Sequence, residues 1–167
     1  MALTRFSPPA RARKLDSPVQ GRILYVEDDD ANWRITERYL RGKFEIERAA
    51  TSREAFGYLT RNHYDLLLLD IELAGSDHDG LAICRIIRGQ DPMPPGYVRP
   101  AWLKEDVPVV FVTAYTARYP REELLRLGGN EVVTKPVDYT RLLLVSSRLI
   151  VSKLHDRSGS GRPSSPR

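Results

Sequence analysis

Apolar positions recur along this chain in two alternating rhythms. RILYVE (22–27) is a short apolar run ending in acids, the pattern of a buried strand. Residues 30–41 then place Ile35, Tyr39 and Leu40 at helical spacing, and Gly42 closes the segment. A second strand is predicted over 44–49. Ser52 opens a helix that carries Ala55, Phe56 and Leu59 on one face. DLLLLD (65–70) is continuously apolar inside its acids, as a strand covered on both faces must be. A third helix follows over 81–88, then a fourth strand, VPVVFVTA, over 107–114. A short helix over 122–127 and a fifth strand over 132–134 come next. A long closing helix over 139–154 sets Leu142, Leu143, Leu149, Ile150 and Leu154 toward the core. Five strand-then-helix units imply an α/β fold with a parallel sheet and helices on both faces.

In such a fold ligands sit beyond the carboxyl ends of the strands. Strand one ends in Glu27, Asp28, Asp29 and Asp30, and strand three ends in Asp70. Strand four ends in Thr113 and Ala114, and strand five in Lys135 and Pro136. One edge therefore collects carboxylates, a hydroxyl and an amine. Crowded carboxylates repel, a divalent cation relieves that repulsion, and oxygen-only donors favour Mg²⁺. Asp70 can then act as a nucleophile toward a phosphoryl group, with Lys135 and Thr113 stabilising the phosphoryl oxygens.

ILYVEDD, LLLLD, VVFVTA and VTKP resemble, in that order, the four signature segments of bacterial response-regulator receiver domains, over about residues 22–155. The resemblance implies a flavodoxin-like (βα)5 doubly wound sandwich with strand order 2-1-3-4-5. It also implies transfer of a phosphoryl group from a histidine kinase, or a histidine phosphotransfer protein, to an aspartate. By position, Asp70 resembles the phosphoacceptor and Asp28 the direct Mg²⁺ ligand, with Glu27 beside it. Thr113 resembles the switch hydroxyl, Lys135 the family's lysine and Pro136 its cis-proline. The backbone carbonyl of Glu72 takes the place of the third metal ligand. Asp29 reads as a helix-start acid, and a shifted register would make it the ligand instead. The α4–β5–α5 face is the implied output surface for a downstream protein, and it could also pair two copies.

Three departures stand out. Val132 occupies the usual aromatic switch position, three before the lysine, and Tyr115 lies close enough in sequence to border the pocket. The loop AGSDHDG (74–80) is long; its His78 reads as plain surface, and Asp77 and Asp79 as caps for the next helix. QDPMPPGYVRPAWLKEDVP (90–108) is a Pro-rich insertion, read as an ordered flap whose Tyr97 and Trp102 fold back onto the body; a partner-docking loop is the sharper alternative. Cys84 reads as core, and Trp33 as half-exposed near the acids.

Composition narrows the function classes. The 167 residues carry 26 Lys+Arg against 22 Asp+Glu, for a net charge of +4. Arg5, Arg11, Arg13, Lys14 and Arg22, against Asp16, make the front basic. Lys153, Arg157, Arg162 and Arg167, against Asp156, do the same for the back. The intervening body is mildly acidic, so the basic pI of 9.3 is no argument for nucleic acid. Residues 1–20 and 156–167 are read as disordered tails flanking a domain at 21–155. One cysteine excludes an internal disulfide, and no apolar run could span a bilayer, so the cytoplasm is the expected home. An aspartyl phosphohydrolase of the haloacid-dehalogenase type would need Asp and Thr where Glu72 and Ala74 stand. Three readings remain: a single-domain phosphoacceptor signalling by protein contact, a phosphorelay intermediate, and a phosphorylation-independent interaction module.

Overall fold

The computed structural model describes residues 21–114 and 118–159. Tyr115, residues 1–20 and residues 160–167 lie outside the described residues. Five strands, β1 (Arg22–Val26), β2 (Glu45–Ala49), β3 (Leu66–Leu69), β4 (Val109–Thr113) and β5 (Glu131–Thr134), form one parallel sheet in the order β2-β1-β3-β4-β5. The helices are α1 (Asp30–Leu40), α2 (Ser52–Arg61), α3 (Gly80–Ile87), α4 (Arg121–Arg126) and α5 (Tyr139–Gly159). Every predicted element is present, and α5 runs past the predicted end at 154.

Strand alternation sorts the core into two layers. Leu24 and Val26 of β1, Leu67 and Leu69 of β3 and Phe111 of β4 pack with Ala55, Phe56 and Leu59 of α2 and with Ile83, Cys84 and Ile87 of α3. Ile23, Tyr25, Leu66, Leu68, Val110 and Val112 face the other way, against Leu40 of α1 and Leu142, Val145 and Ile150 of α5. Full burial on both faces explains why β3 reads as unbroken leucine.

The helix faces differ in detail from their periodicity. On α1 only Thr36 and Leu40 are buried, while Ile35 and Tyr39 stay exposed. α1 shares its side of the sheet with α5, so a narrow stripe reaches the strands, and Tyr39 stacks flat on Tyr139 at 4.5 Å between ring centroids. On α5, Leu142, Val145 and Ile150 are buried, Leu143 and Leu149 pack half-buried against the same layer, and Leu154 is exposed.

The insertion at 90–108 contains no helix and lies against α2 and α3. The Trp102 indole N–H donates to the Leu59 carbonyl at 3.2 Å, and the Tyr97 hydroxyl to the Arg53 carbonyl at 3.1 Å. Leu103 is buried, and Arg99 donates to the Ile86 and Ile87 carbonyls, satisfying the last turn of α3. Arg88 ties the far end down by donating to the carbonyls of Glu105, Val107 and Gly128. The aromatics do fold back on the body.

Gly80, the first residue of α3, fixes how closely that helix approaches β3. A Cβ there would stand 2.1 Å from the Asp70 carbonyl oxygen, against backbone that cannot swing aside. Gly80→Ala is expected to cost about 1–3 kcal/mol in chemical denaturation by forcing α3 away from the end of β3. A neutral effect on the unfolding midpoint would contradict this close packing.

Candidate functional site

Each acid reaches the carboxyl edge because its strand stops there. Arg48 on β2 holds the loop after β1 in place: it donates to the Glu27 carbonyl at 2.8 Å and the Asp28 carbonyl at 2.6 Å, and pairs with Asp30. Asp29 caps α1, its side chain accepting the Asn32 N–H at 2.7 Å, so it acts as the helix-start acid. That leaves Glu27, Asp28 and Asp70 to converge, with one carboxylate oxygen from each within 4.8 Å of the others. Glu27 is fully buried, Asp70 is buried and Asp28 is half-buried.

One amine joins the acids across the sheet. Lys135 Nζ donates to Glu27 Oε2 at 2.7 Å and to Asp70 Oδ2 at 2.5 Å. Burial alone would lower the lysine's pKa, but these two carboxylates outweigh it and hold the ammonium charged. The Lys135–Pro136 peptide bond is cis, and the Lys135 N–H donates to the Thr113 carbonyl at 2.8 Å. Thr113 itself is wholly buried at the end of β4. Glu72 is exposed, and its backbone N–H donates to Asp70 Oδ1 at 3.3 Å. Asp28 Oδ2 accepts the Ala74 N–H at 3.0 Å and so fastens the loop after β3 to the loop after β1.

The structure brings together Glu27, Asp28, Asp70, Lys135 and the Glu72 backbone, sets Thr113 beside Lys135, and leaves Asp29 on α1. Two participants escape the sequence. Arg48 sits in an ordinary strand pattern, and only its parallel register with Tyr25 puts it near the acids. The Tyr25 hydroxyl donates to Glu27 Oε2 at 2.6 Å, from a position that reads as plain core. His78 is not plain surface. It is half-buried, packs edge-on against Phe56 at 5.6 Å and has a buried Nδ1 with no hydrogen-bond partner among the described residues. Asp79 caps α3 through the Ala82 N–H at 2.7 Å, whereas Asp77 pairs with Arg53 at 3.6 Å rather than capping.

An all-carboxylate, all-oxygen donor set of this compactness suits a small hard cation of the Mg²⁺ kind, as receiver domains bind at their acidic pockets. Burial lifts the Asp70 carboxyl from 3.8 to about 6; the hydrogen bond and charge of Lys135 oppose the rise, and the charge of Glu27 adds to it. The folded protein thus holds this proton more tightly than the unfolded chain. Stability from Asp70 is fully present below pH 4 and is lost as pH rises through about 6. Asp70→Asn carries no such charge and is expected to be more stable than the parent at pH 7.5, by about 1–3 kcal/mol, with the gap closing toward pH 4. Thermal melts at both pH values check this, and a less stable variant at pH 7.5 would contradict it.

The comparisons agree with this geometry. A family model described as the response regulator receiver domain matches residues 23–146. The chain is 31% identical over 150 residues to the response regulator PleD of Caulobacter vibrioides, covering 86% of this chain and 30% of PleD. It is 28% identical over 121 residues to the transcriptional regulatory protein ZraR of Escherichia coli K12, covering 72% of this chain and 24% of ZraR. It therefore spans less than a third of either relative's length. Among solved structures, NtrX from Brucella abortus superposes with a TM-score of 0.70 at 25% identity, over 89% of this chain and 31% of that one. The receiver domain of the sensor histidine kinase PA1611 from Pseudomonas aeruginosa PAO1, with a magnesium ion coordinated in its active-site cleft, gives 0.64 at 27% identity, over 78% and 98%. A five-stranded sheet in the order 2-1-3-4-5, an acid cluster at its carboxyl edge and a family match across residues 23–146 place this chain in the response regulator receiver domain family.

Proposed function

We propose that the protein takes a phosphoryl group from a histidine kinase, or a histidine phosphotransfer protein, onto Asp70 and passes the signal on by protein contact. The observation that carries this reading is the Lys135 ammonium bridging Glu27 and Asp70 beside Asp28. Above pH about 6 Asp70 is a carboxylate, the form that attacks phosphorus. As its oxygen bonds to phosphorus, the P–N bond to the donor imidazole breaks, and that nitrogen leaves with the bonding pair. Lys135 then follows a phosphoryl oxygen, and Thr113 donates its hydroxyl to another. Asp28, Asp70 and the Glu72 carbonyl would hold Mg²⁺, with Glu27 behind them. Bound there, the ion neutralises charge on the transferring group.

For the output we assign the face of α4, β5 and α5. There Glu131, at the start of β5, gathers Arg121, Arg141 and Arg148. The same face could pair two copies. Val132 is buried and aliphatic where the family carries an aromatic switch, which favours, as a second reading, a module whose contacts do not depend on phosphorylation. We place the protein in the cytoplasm, on the strength of its family; among the described residues no helix is long and apolar enough to cross a membrane.

Incubation with Mg²⁺ and acetyl phosphate separates the readings. Intact-mass measurement should show the gain of one base-labile phosphoryl group, absent in Asp70→Asn and when EDTA replaces Mg²⁺. No gain in the parent protein would overturn the phosphoacceptor reading in favour of the constitutive module.

A further inference from the structure

Glu27 is wholly buried at the centre of the site, and its hydrogen bonds are unevenly supplied. Oε1 accepts the Asp29 N–H at 3.1 Å, with Asn32 Nδ2 more distant at 3.5 Å. Oε2 is shared by two donors, Lys135 Nζ at 2.7 Å and the Tyr25 hydroxyl at 2.6 Å. Lys135 in turn divides itself between Glu27 and Asp70. Any change in what Glu27 demands of the ammonium is therefore felt at Asp70. Tyr25 has no exposed surface, and the Thr36 side chain, buried on α1, neighbours its phenol. A chain of contacts thus runs Thr36–Tyr25–Glu27–Lys135–Asp70, from the middle of α1 to the acceptor.

We propose that Tyr25 is a positioning residue that acts through Glu27: by sharing the load on Oε2 it leaves Lys135 free to serve Asp70. Packing alone does not require the hydroxyl, because the aromatic ring already fills the layer between β1, α1 and α5. A phenylalanine would fill that space and leave Glu27 with one strong donor on Oε2. The carboxylate would then draw the ammonium toward itself, and its less compensated charge would attract a divalent cation more strongly. Metal affinity and phosphoryl transfer should therefore move in opposite directions.

This inference rests on the phosphoacceptor reading, and its two measurements can fail separately. In Tyr25→Phe, calorimetric titration with MgCl2 alone should show binding tighter by about threefold. The maximal rate of phosphorylation by acetyl phosphate at saturating Mg²⁺ should fall about tenfold. In a Glu27→Gln background the same substitution should change neither quantity. Thr36→Val, which removes the hydroxyl that neighbours the phenol, should give the same opposed pair of changes at smaller size and serves if Tyr25→Phe folds poorly. Unchanged Mg²⁺ affinity, a joint loss of affinity and rate, or an undiminished effect in the Glu27→Gln background would overturn the role. If the parent gains no phosphoryl group, the phosphoacceptor reading fails, while the MgCl2 titration still decides whether Tyr25 governs Glu27.

Discussion

The site depends on one ammonium group shared between two buried carboxylates. Glu27 and Asp70 arrive on different strands, β1 and β3, and their charges repel across a poorly hydrated gap. Lys135, from the end of β5, satisfies both. Because β4 lies between β3 and β5, the lysine has to cross one strand to reach Asp70, and the wholly buried Thr113 marks the end of the strand it crosses. The arrangement falls one charge short of neutrality even before Asp28 is counted. That deficit is what makes the edge attractive to a divalent cation, while burial, against the pull of Lys135, keeps the Asp70 carboxyl above its ordinary range.

Much of this was legible in the sequence because strands and site share one code. A doubly buried strand must be apolar until it ends, so the first acid, hydroxyl or amine after each run marks the functional edge. Glu27, Asp70, Thr113 and Lys135 are all read that way, and the structure gathers them. What stayed hidden came from contacts across register. Arg48 clamps the loop after β1 only because β2 pairs with β1 so that Arg48 stands opposite Tyr25. Tyr25 looks like core, and it is core; its hydroxyl becomes functional through a neighbour two residues along the same strand face.

The misread helix faces have a common cause. Periodicity reports which residues lie on one side of a helix, but not how much of that side the fold covers. α1 and α5 share one face of the sheet, so each gives up part of its apolar arc to solvent, as Ile35, Tyr39 and Leu154 show. His78 errs the other way. Its loop is polar in sequence, yet Ser76 accepts the Ser52 N–H, and the His78 N–H reaches the Ser52 hydroxyl. Those two bonds draw the loop against α2 and press the imidazole onto Phe56.

The insertion at 90–108 shows how the fold tolerates extra chain without disturbing its chemistry. It enters after α3 and leaves at the amino end of β4, the end of the sheet opposite the acids. Its five prolines keep it out of helix, and it runs through short turns closed by the Tyr97 N–H on the Pro94 carbonyl and the Leu103 N–H on the Pro100 carbonyl. Arg88 and Arg99 add to these by donating to carbonyls at the end of α3, in the insertion and before β5. These bonds satisfy acceptors that a short connection would have left to water. Trp102 and Tyr97 then anchor the span to α2. α2 is also the helix that Ser52 ties to the loop following Asp70. The insertion therefore braces, through α2, the loop that follows Asp70.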